Sequence, residues 1–420
     1  MSTESKIKQL TEELKQHNYN YYVLAQPIIS DREFDQKLKD LEKLEEAFPQ
    51  YADPNSPTKQ VGGDITKDFE TVEHSVRMLS LGNTYSKEEL LDFDVRVKKL
   101  IGGIPFKYTA ELKFDGFAIA LRYKHGKLIQ AITRGDGTKG DDVTANVKTV
   151  KSIPHHLNGN YPENVEVRGE MFIHKAAFDR MNKERASNGE DLYKNPRNTA
   201  AGTIKLQDSA EVAKRPLDAF LYQLVEHGNE QLDHFDSLQR MKEYGLPVND
   251  ATKLCSTIED VWKFIKYWDS ERKNLSFEID GVVIKVNSRL QQEELGFTSK
   301  FPRWAMSYKF ETERAESKLL SISYQVGRTG AVTPVANLEP VQLLGTTVQR
   351  ASLHNADFIA DLDVRVGDVV YVEKGGEIIP KIVAVDSSHR DVNSKPTQFA
   401  THCPECQTLL ERSEGEAAYR

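Results

Sequence analysis

The chain has 420 residues, 39% hydrophobic and 29% charged, which is enough to bury several cores and too long for one ordinary domain, so roughly three units are expected. A mean hydropathy of −0.56 and no apolar run of bilayer length exclude an apolar helix spanning a membrane. The opening residues Met1 to Lys8 lack the apolar centre of a secretory signal, so a cytoplasmic location is expected. The net charge of −8 requires any nucleic-acid contact to come from local basic patches.

Residues 1–68 read as a helical module. Ile7, Leu10 and Leu14 recur at helical spacing. Ser30 with Glu33 makes a capping box and Ile29 with Phe34 a hydrophobic staple, so a helix starts at Ser30 and runs through Leu38, Leu41 and Leu44. Around its start gather His17, Tyr19, Tyr21, Tyr22, Asp31 and Asp35. Acids there satisfy the helix dipole and tyrosines fill a small core; the same set also suits a cationic ring such as nicotinamide. On residue chemistry alone, the structural reading is favoured.

After the turn-rich link Asp53 to Thr58 and the loop Val61-Gly62-Gly63, a second capping box, Ser86 with Glu89, predicts a helix over Leu90, Phe93 and Val97. In the extended stretch Glu111-Leu112-Lys113-Phe114-Asp115-Gly116, alternate side chains share a face, so Lys113 stands between Glu111 and Asp115. An amine so placed is either a solvated charge on a strand edge or a nucleophile toward phosphorus, flanked by carboxylates that can also take a divalent metal. Phe117 to Tyr123 and Leu128 to Thr133 predict an antiparallel hairpin set directly behind it.

Three later strands each aim charge across one face: Glu166, Arg168 and Glu170; then Lys285; then Lys309 beyond Ala305 and Ser307. Pairing of Glu170 with Lys285 or Lys309 would offset the cost of burying those charges. The surplus of cations, with Arg134, suits a phosphate.

Lys113-Phe114-Asp115-Gly116, Glu166-Val167-Arg168-Gly169-Glu170, Asp280-Gly281-Val282-Val283-Ile284-Lys285 and Trp304-Ala305-Met306-Ser307-Tyr308-Lys309-Phe310 resemble, in order and spacing, the nucleotidyltransferase motifs of covalent ligases and capping enzymes. With Tyr21-Tyr22, Ile29-Ser30-Asp31, Met78-Leu79-Ser80-Leu81, Thr133 to Gly137, Asn195 to Asn198 and Leu353-His354-Asn355, essentially the whole chain resembles the bacterial NAD-dependent DNA ligases. The helical module separates that family from ATP-using ligases, and it reverses the structural reading of residues 17–35.

The resemblance implies an α+β multidomain fold: a helical nicotinamide-mononucleotide-recognition module at 1–68, an adenylation domain at 69–311, an oligonucleotide-binding (OB) barrel at 312–399 and an incomplete zinc-finger segment at 400–420. It implies that Lys113 takes AMP from NAD, that the AMP passes to the 5′-phosphate of a nick in double-stranded DNA, and that the 3′-hydroxyl displaces it, as replication and repair require. Lys285, Lys309 and Mg²⁺ or Mn²⁺ would surround Lys113 with positive charge that favours its reactive neutral form. Ser80, Leu81 and Glu111 would contact adenine, Glu170 the ribose and Arg134 the nucleotide. Tyr21, Tyr22 and the run Asp31, Arg32, Glu33, Phe34, Asp35 would hold the nicotinamide half. Phe34 stands where the family usually has tyrosine, Ala25 where aspartate is common, and Asp141 where glutamate is frequent.

Residues 312–399 show short strands punctuated by glycine, which predicts a small β-barrel, with Arg328 as a candidate clamp on the DNA backbone. Lys194, Arg197, Lys205, Lys214 and Arg215 form a second basic patch, predicting salt-sensitive binding. Cys403-Pro404-Glu405-Cys406 is half of a zinc knuckle, and a structural site needs four ligands, so the pair is expected not to close a site alone. The family's second cysteine pair would begin about where the chain stops, so a fragment is expected, with Zn²⁺ held in the full-length form. A monomer is expected. The alternative is a form that self-adenylates, or binds nucleotide or DNA, without efficient sealing.

Overall fold

The computed structural model describes residues 3–22, 28–53, 56–59, 69–226, 232–311, 314–327, 330–343, 346–375, 379–391, 394–412 and 417–420. Ala25, the loop 61–63 and Arg328 lie outside them, as do the side chains of Tyr19, Tyr21, Tyr22 and Asp31. The chain divides into two compact units, one of residues 1–26 and 32–310, the other of residues 27–31 and 311–420. Among the described residues no helix is long and apolar enough to cross a membrane.

The first unit opens with helices Thr3–Tyr22 and Asp31–Ala47. The second begins directly after Ser30, as the capping box predicts. Ile7, Leu14, Leu38 and Leu41 are buried between them with Phe34 against the cluster, so the Phe34 ring serves this small core. The ring is only partly buried there, so part of it stays accessible.

Eleven strands follow: β1 (Thr71–Glu73), β2 (Gly82–Thr84), β3 (Tyr108–Phe114), β4 (Phe117–Lys124), β5 (Lys127–Thr133), β6 (Lys139–Asp141), β7 (Asn164–Ile173), β8 (Leu217–Glu226), β9 (Lys253–Cys255), β10 (Ile279–Val286) and β11 (Ala305–Lys309). They form a five-stranded sheet in the order β2-β11-β10-β3-β9, a four-stranded sheet β5-β4-β7-β8, and the pair β1-β6. Each large sheet has its own apolar cluster. Helix Lys87–Leu100 starts as predicted: the Ser86 hydroxyl accepts from the Glu89 N–H at 3.1 Å, while the Glu89 carboxylate reaches back to the N–H of Tyr85 at 2.9 Å.

The hairpin β4-β5 belongs to the four-stranded sheet, whereas Lys113 lies on the five-stranded one. This corrects the expectation that it sits directly behind the lysine. The chain changes sheets at Asp115-Gly116, and the crossing explains the glycine: a Cβ on Gly116 would fall 2.1 Å from the Met171 carbonyl oxygen of β7. No side chain fits there.

In the second unit, β12 (Arg314–Val326), β13 (Val332–Leu343), β14 (Thr346–Ser352), β15 (Val369–Gly375) and β16 (Ile379–Asp386) close into a barrel in the order β12-β13-β14-β16-β15. Helix Ala356–Asp361 lies between β14 and β15. Leu319, Ala336, Val348, Val370, Val372 and Ile382 fill the interior. A five-stranded barrel of this connectivity is the OB fold that the strand pattern predicts.

Candidate active site

Register builds the site. In the five-stranded sheet Gly281 pairs with Lys113 on β3 and with Lys309 on β11; Val283 pairs with Glu111 and Ser307; Lys285 pairs with Thr109 and Ala305. Paired residues share a face. One face therefore carries three transverse rows, Lys113-Gly281-Lys309, Glu111-Val283-Ser307 and Thr109-Lys285-Ala305. The glycine between the two lysines is obligatory: a Cβ there would lie 2.0 Å from the Tyr308 carbonyl oxygen of β11.

A register shift between Ile279 and Gly281 frees Asp280 from strict alternation. Its carboxylate turns to the Lys113 side and accepts from Nζ through both oxygens, at 2.9 and 2.8 Å. Lys309 approaches the same carboxylate at 3.7 Å. Asp115, at the sheet crossing, accepts from Arg197 at 2.7 Å, whose helix Pro196–Ile204 is capped by Asn195.

Diagonally behind Lys113, Glu111 is 5% exposed and its Oε1 accepts from Lys285 at 2.9 Å and from His234 at 2.7 Å. The Lys285 ammonium and the His234 donor together overcome the burial of Glu111 and hold its carboxyl down at about 2. Burial, reinforced by Lys285, holds His234 below the usual histidine range. Lys285 also donates to the Tyr222 carbonyl at 3.2 Å and lies 5.2 Å from the ring centre.

Glu170 comes from β7 in the other sheet. Burial pushes its carboxyl up to about 7, against the opposing pull of Arg197, Lys113 and Arg134. Arg134 sits in a loop that His74 holds from below, its ring Nε2 lying 3.1 and 3.2 Å from the carbonyls of Thr133 and Arg134. Ser80 and Leu81 follow a segment anchored by Arg168, which donates to the carbonyls of Val76 and Arg77. Glu166 is in turn bound by Ser75 and Arg122.

Three expectations change. Lys285 and Lys309 do not surround Lys113 with positive charge: Asp280 stands between Lys113 and Lys309, and Lys285 pairs with Glu111. Nor does either lysine pair with Glu170, because both find a carboxylate on their own sheet. Three of the five cations in the patch at 193–215 pair with acids, Arg197 with Asp115, Lys205 with Asp141 at 3.2 Å and Lys214 with Glu211 at 2.6 Å, while Arg215 donates to the Thr203 hydroxyl.

The helical module contributes Asp35 to the first unit, where its Oδ2 accepts from Asn83 at 2.6 Å and from the Tyr85 hydroxyl at 2.5 Å. Arg32 lies 5.7 Å from the Tyr85 ring centre, and Glu33 is half-buried. The sequence reading missed His234, Asp280 and Asn83 as site residues. Asp280 was visible inside its motif, but only the bulge aims it. A lone histidine at a helix start carries no signal by itself.

In the second unit, Cys403 and Cys406 sit on a tight hairpin closed by the Cys403 N–H donating to Thr408 and the Gln407 N–H donating to Cys403, at 2.8 and 3.0 Å. Among the described residues no group of three or more histidines, cysteines or acids is placed to hold a metal. Two thiols supply half of a tetrahedral zinc site, and no role is derived through zinc.

Lys113 on one sheet held by Asp280, Glu170 contributed by a second sheet, and an OB barrel elsewhere in the same chain are features of the nucleotidyltransferase class. Three family models match: "NAD-dependent DNA ligase adenylation domain" over residues 66–313, "NAD-dependent DNA ligase OB-fold domain" over 316–394, and "DNA ligase-like, N-terminal NAD+-binding domain" over 1–62. The chain belongs to the NAD-dependent DNA ligase family. It is 56% identical to a DNA ligase of Flavobacterium johnsoniae over 99% of this chain and 62% of that protein. It is 55% identical to one of Christiangramia forsetii, over 100% and 63%, and 54% identical to one of Bacteroides fragilis, over 100% and 63%. The chain thus spans less than two thirds of the length of these relatives.

Proposed function

We propose that this chain takes an adenylyl group from NAD onto Lys113 and passes it to the 5′-phosphate at a nick in duplex DNA, where the 3′-hydroxyl displaces AMP and seals the strand. The observation that supports this best is the placement of Lys113: an amine near the end of an interior strand, oriented by both oxygens of Asp280, whose carboxylate Lys309 also approaches, and close enough to Glu170 to act on its charge. In the first step Nζ bonds to the adenylyl phosphorus, the bond from that phosphorus to the pyrophosphate bridge breaks, nicotinamide mononucleotide leaves, and Nζ gives up a proton. Asp280, within hydrogen-bond reach, is the acceptor in place for it.

Lys309 and Arg197 are fixed cations for the charge that develops on the phosphoryl oxygens. Glu111 and Lys285, with Ser80 and Leu81, receive the adenosine, and the nicotinamide half is assigned to Tyr21, Tyr22, Asp31, Arg32, Glu33, Phe34 and Asp35. Asp115, Glu170 and Asp280 carry hard oxygens of the kind Mg²⁺ takes, but among the described residues no three acids are placed together to hold a metal, so no step is assigned to Mg²⁺. The barrel is the surface offered to DNA.

The test is the intact mass of purified protein, stripped of AMP, after incubation with Mg²⁺ and either NAD or ATP. A single AMP adduct from NAD alone, absent in Lys113→Ala and reversed by nicotinamide mononucleotide, is the expected outcome. No adduct from either nucleotide would leave a binding module, and an adduct from ATP would overturn the assignment of the helical module.

A further inference from the structure

His234 opens the helix His234–Glu243 and is 8% exposed. Its own N–H donates to the Asn287 carbonyl at 2.8 Å, and the Asn287 side-chain oxygen accepts from the Phe235 N–H at 2.9 Å and from the Thr109 hydroxyl at 2.8 Å. The start of the helix is therefore tied to β3 and to the residue that follows β10. Its Nε2 lies 2.7 Å from Glu111 Oε1. Two lone pairs at that distance would repel, so Nε2 carries the proton and donates. Lys285 donates to the same oxygen at 2.9 Å while standing 3.1 Å from Nε2, so two donors converge on Oε1. Oε2 receives no hydrogen bond among the described residues and keeps a little solvent contact. It is an acceptor with nothing to donate, held in place by the two donors on Oε1.

We infer that His234 is a base-selecting positioning residue: with Lys285 it locks Glu111 so that Oε2 accepts from the exocyclic amino group of a purine and turns away a purine carrying a 6-oxo group. The inference rests on the proposed adenylation reaction. A 6-amino group donates to a carboxylate; a 6-oxo group places a second acceptor against it, and buried acceptors facing each other are costly. A 6-oxopurine also has an N1–H beside the oxo group. A carboxylate free to swivel could reach that N–H and tolerate the wrong base. Holding Oε1 with two donors removes the swivel, and removing His234 restores it.

The experiment compares single-turnover AMP or IMP adduct formation, read by intact mass, from NAD and from nicotinamide hypoxanthine dinucleotide. Wild type is expected to favour NAD by about 100-fold or more, in line with sites that hydrogen-bond their substrate. His234→Phe should narrow that ratio by at least about tenfold, and His234→Gln, whose amide N–H can still reach Glu111, should keep most of it. If the phenylalanine variant fails to fold, His234→Asn, too short to reach Glu111, replaces it. A merely structural role would slow both substrates alike and leave the ratio intact, and that result overturns the inference. Absence of any adduct from NAD in wild type would instead overturn the reaction on which it rests.

Discussion

At Glu170 two forces oppose each other, and burial wins: the carboxyl titrates near 7 instead of 4.5 despite three nearby cations. A carboxyl raised in the folded state binds a proton that the unfolded chain has lost, so its contribution to stability is complete below pH 4.5 and disappears as pH rises through 7. Glu170→Gln should therefore match wild type in thermal stability near pH 4.5 and exceed it at pH 8. Because the group is only half-buried, screening reduces the difference to on the order of 1 kcal/mol. Unfolding midpoints across that range check it, and a constant offset would count against a titrating Glu170. The sequence showed that Glu170 shares a face with charged neighbours; it did not show which cations the other sheet would bring, because those distances are set by how two sheets pack.

Strand alternation made much of the site legible. Glu111 and Lys113 share a face as their spacing requires, and so do Lys285 and Gly281, or Lys309 and Ser307. Hidden from it were the inter-strand register and the bulge at Asp280, which turn three separate motifs into rows and give Lys113 its partner. Those depend on which backbone approaches which, and the glycines record it only in retrospect. Gly281→Ala forces a Cβ onto the Tyr308 carbonyl, so β10 and β11 must separate. A loss of about 1–3 kcal/mol is expected from such overpacking, visible as a lower urea midpoint together with reduced adduct yield. Wild-type values in both would mean that the two strands have slack. The hairpin β4-β5 was correct as an element and misplaced as a neighbour, since strand pattern does not say where a chain changes sheets.

On the scale of the whole first unit, exposed and half-buried polar links tie the helical module to the remainder. Asp35 with Asn83 and Tyr85, Lys39 with Glu89 at 3.2 Å, and the Lys300 ammonium on the Pro57 carbonyl at 2.9 Å join it to the remainder. Surface links of this kind are individually worth little, so the module should be the first part to loosen. Asp35→Ala is expected to speed amide hydrogen exchange across residues 31–47 severalfold while leaving β3 unchanged; equal protection in both variants would show that the other contacts suffice. The helices themselves were readable from apolar spacing and capping, whereas their partners on β2 and beyond, distant in sequence, were not.

The strands that carry Lys113, Asp280 and Lys309 occupy the middle of their sheet, with three-residue strands, β2 and β9, at its two edges. Interior strands give up their hydrogen bonds only when the sheet opens as a whole. Reactive geometry here is consequently all or none: damage elsewhere in that sheet would reduce how many molecules are competent, without making the survivors any slower.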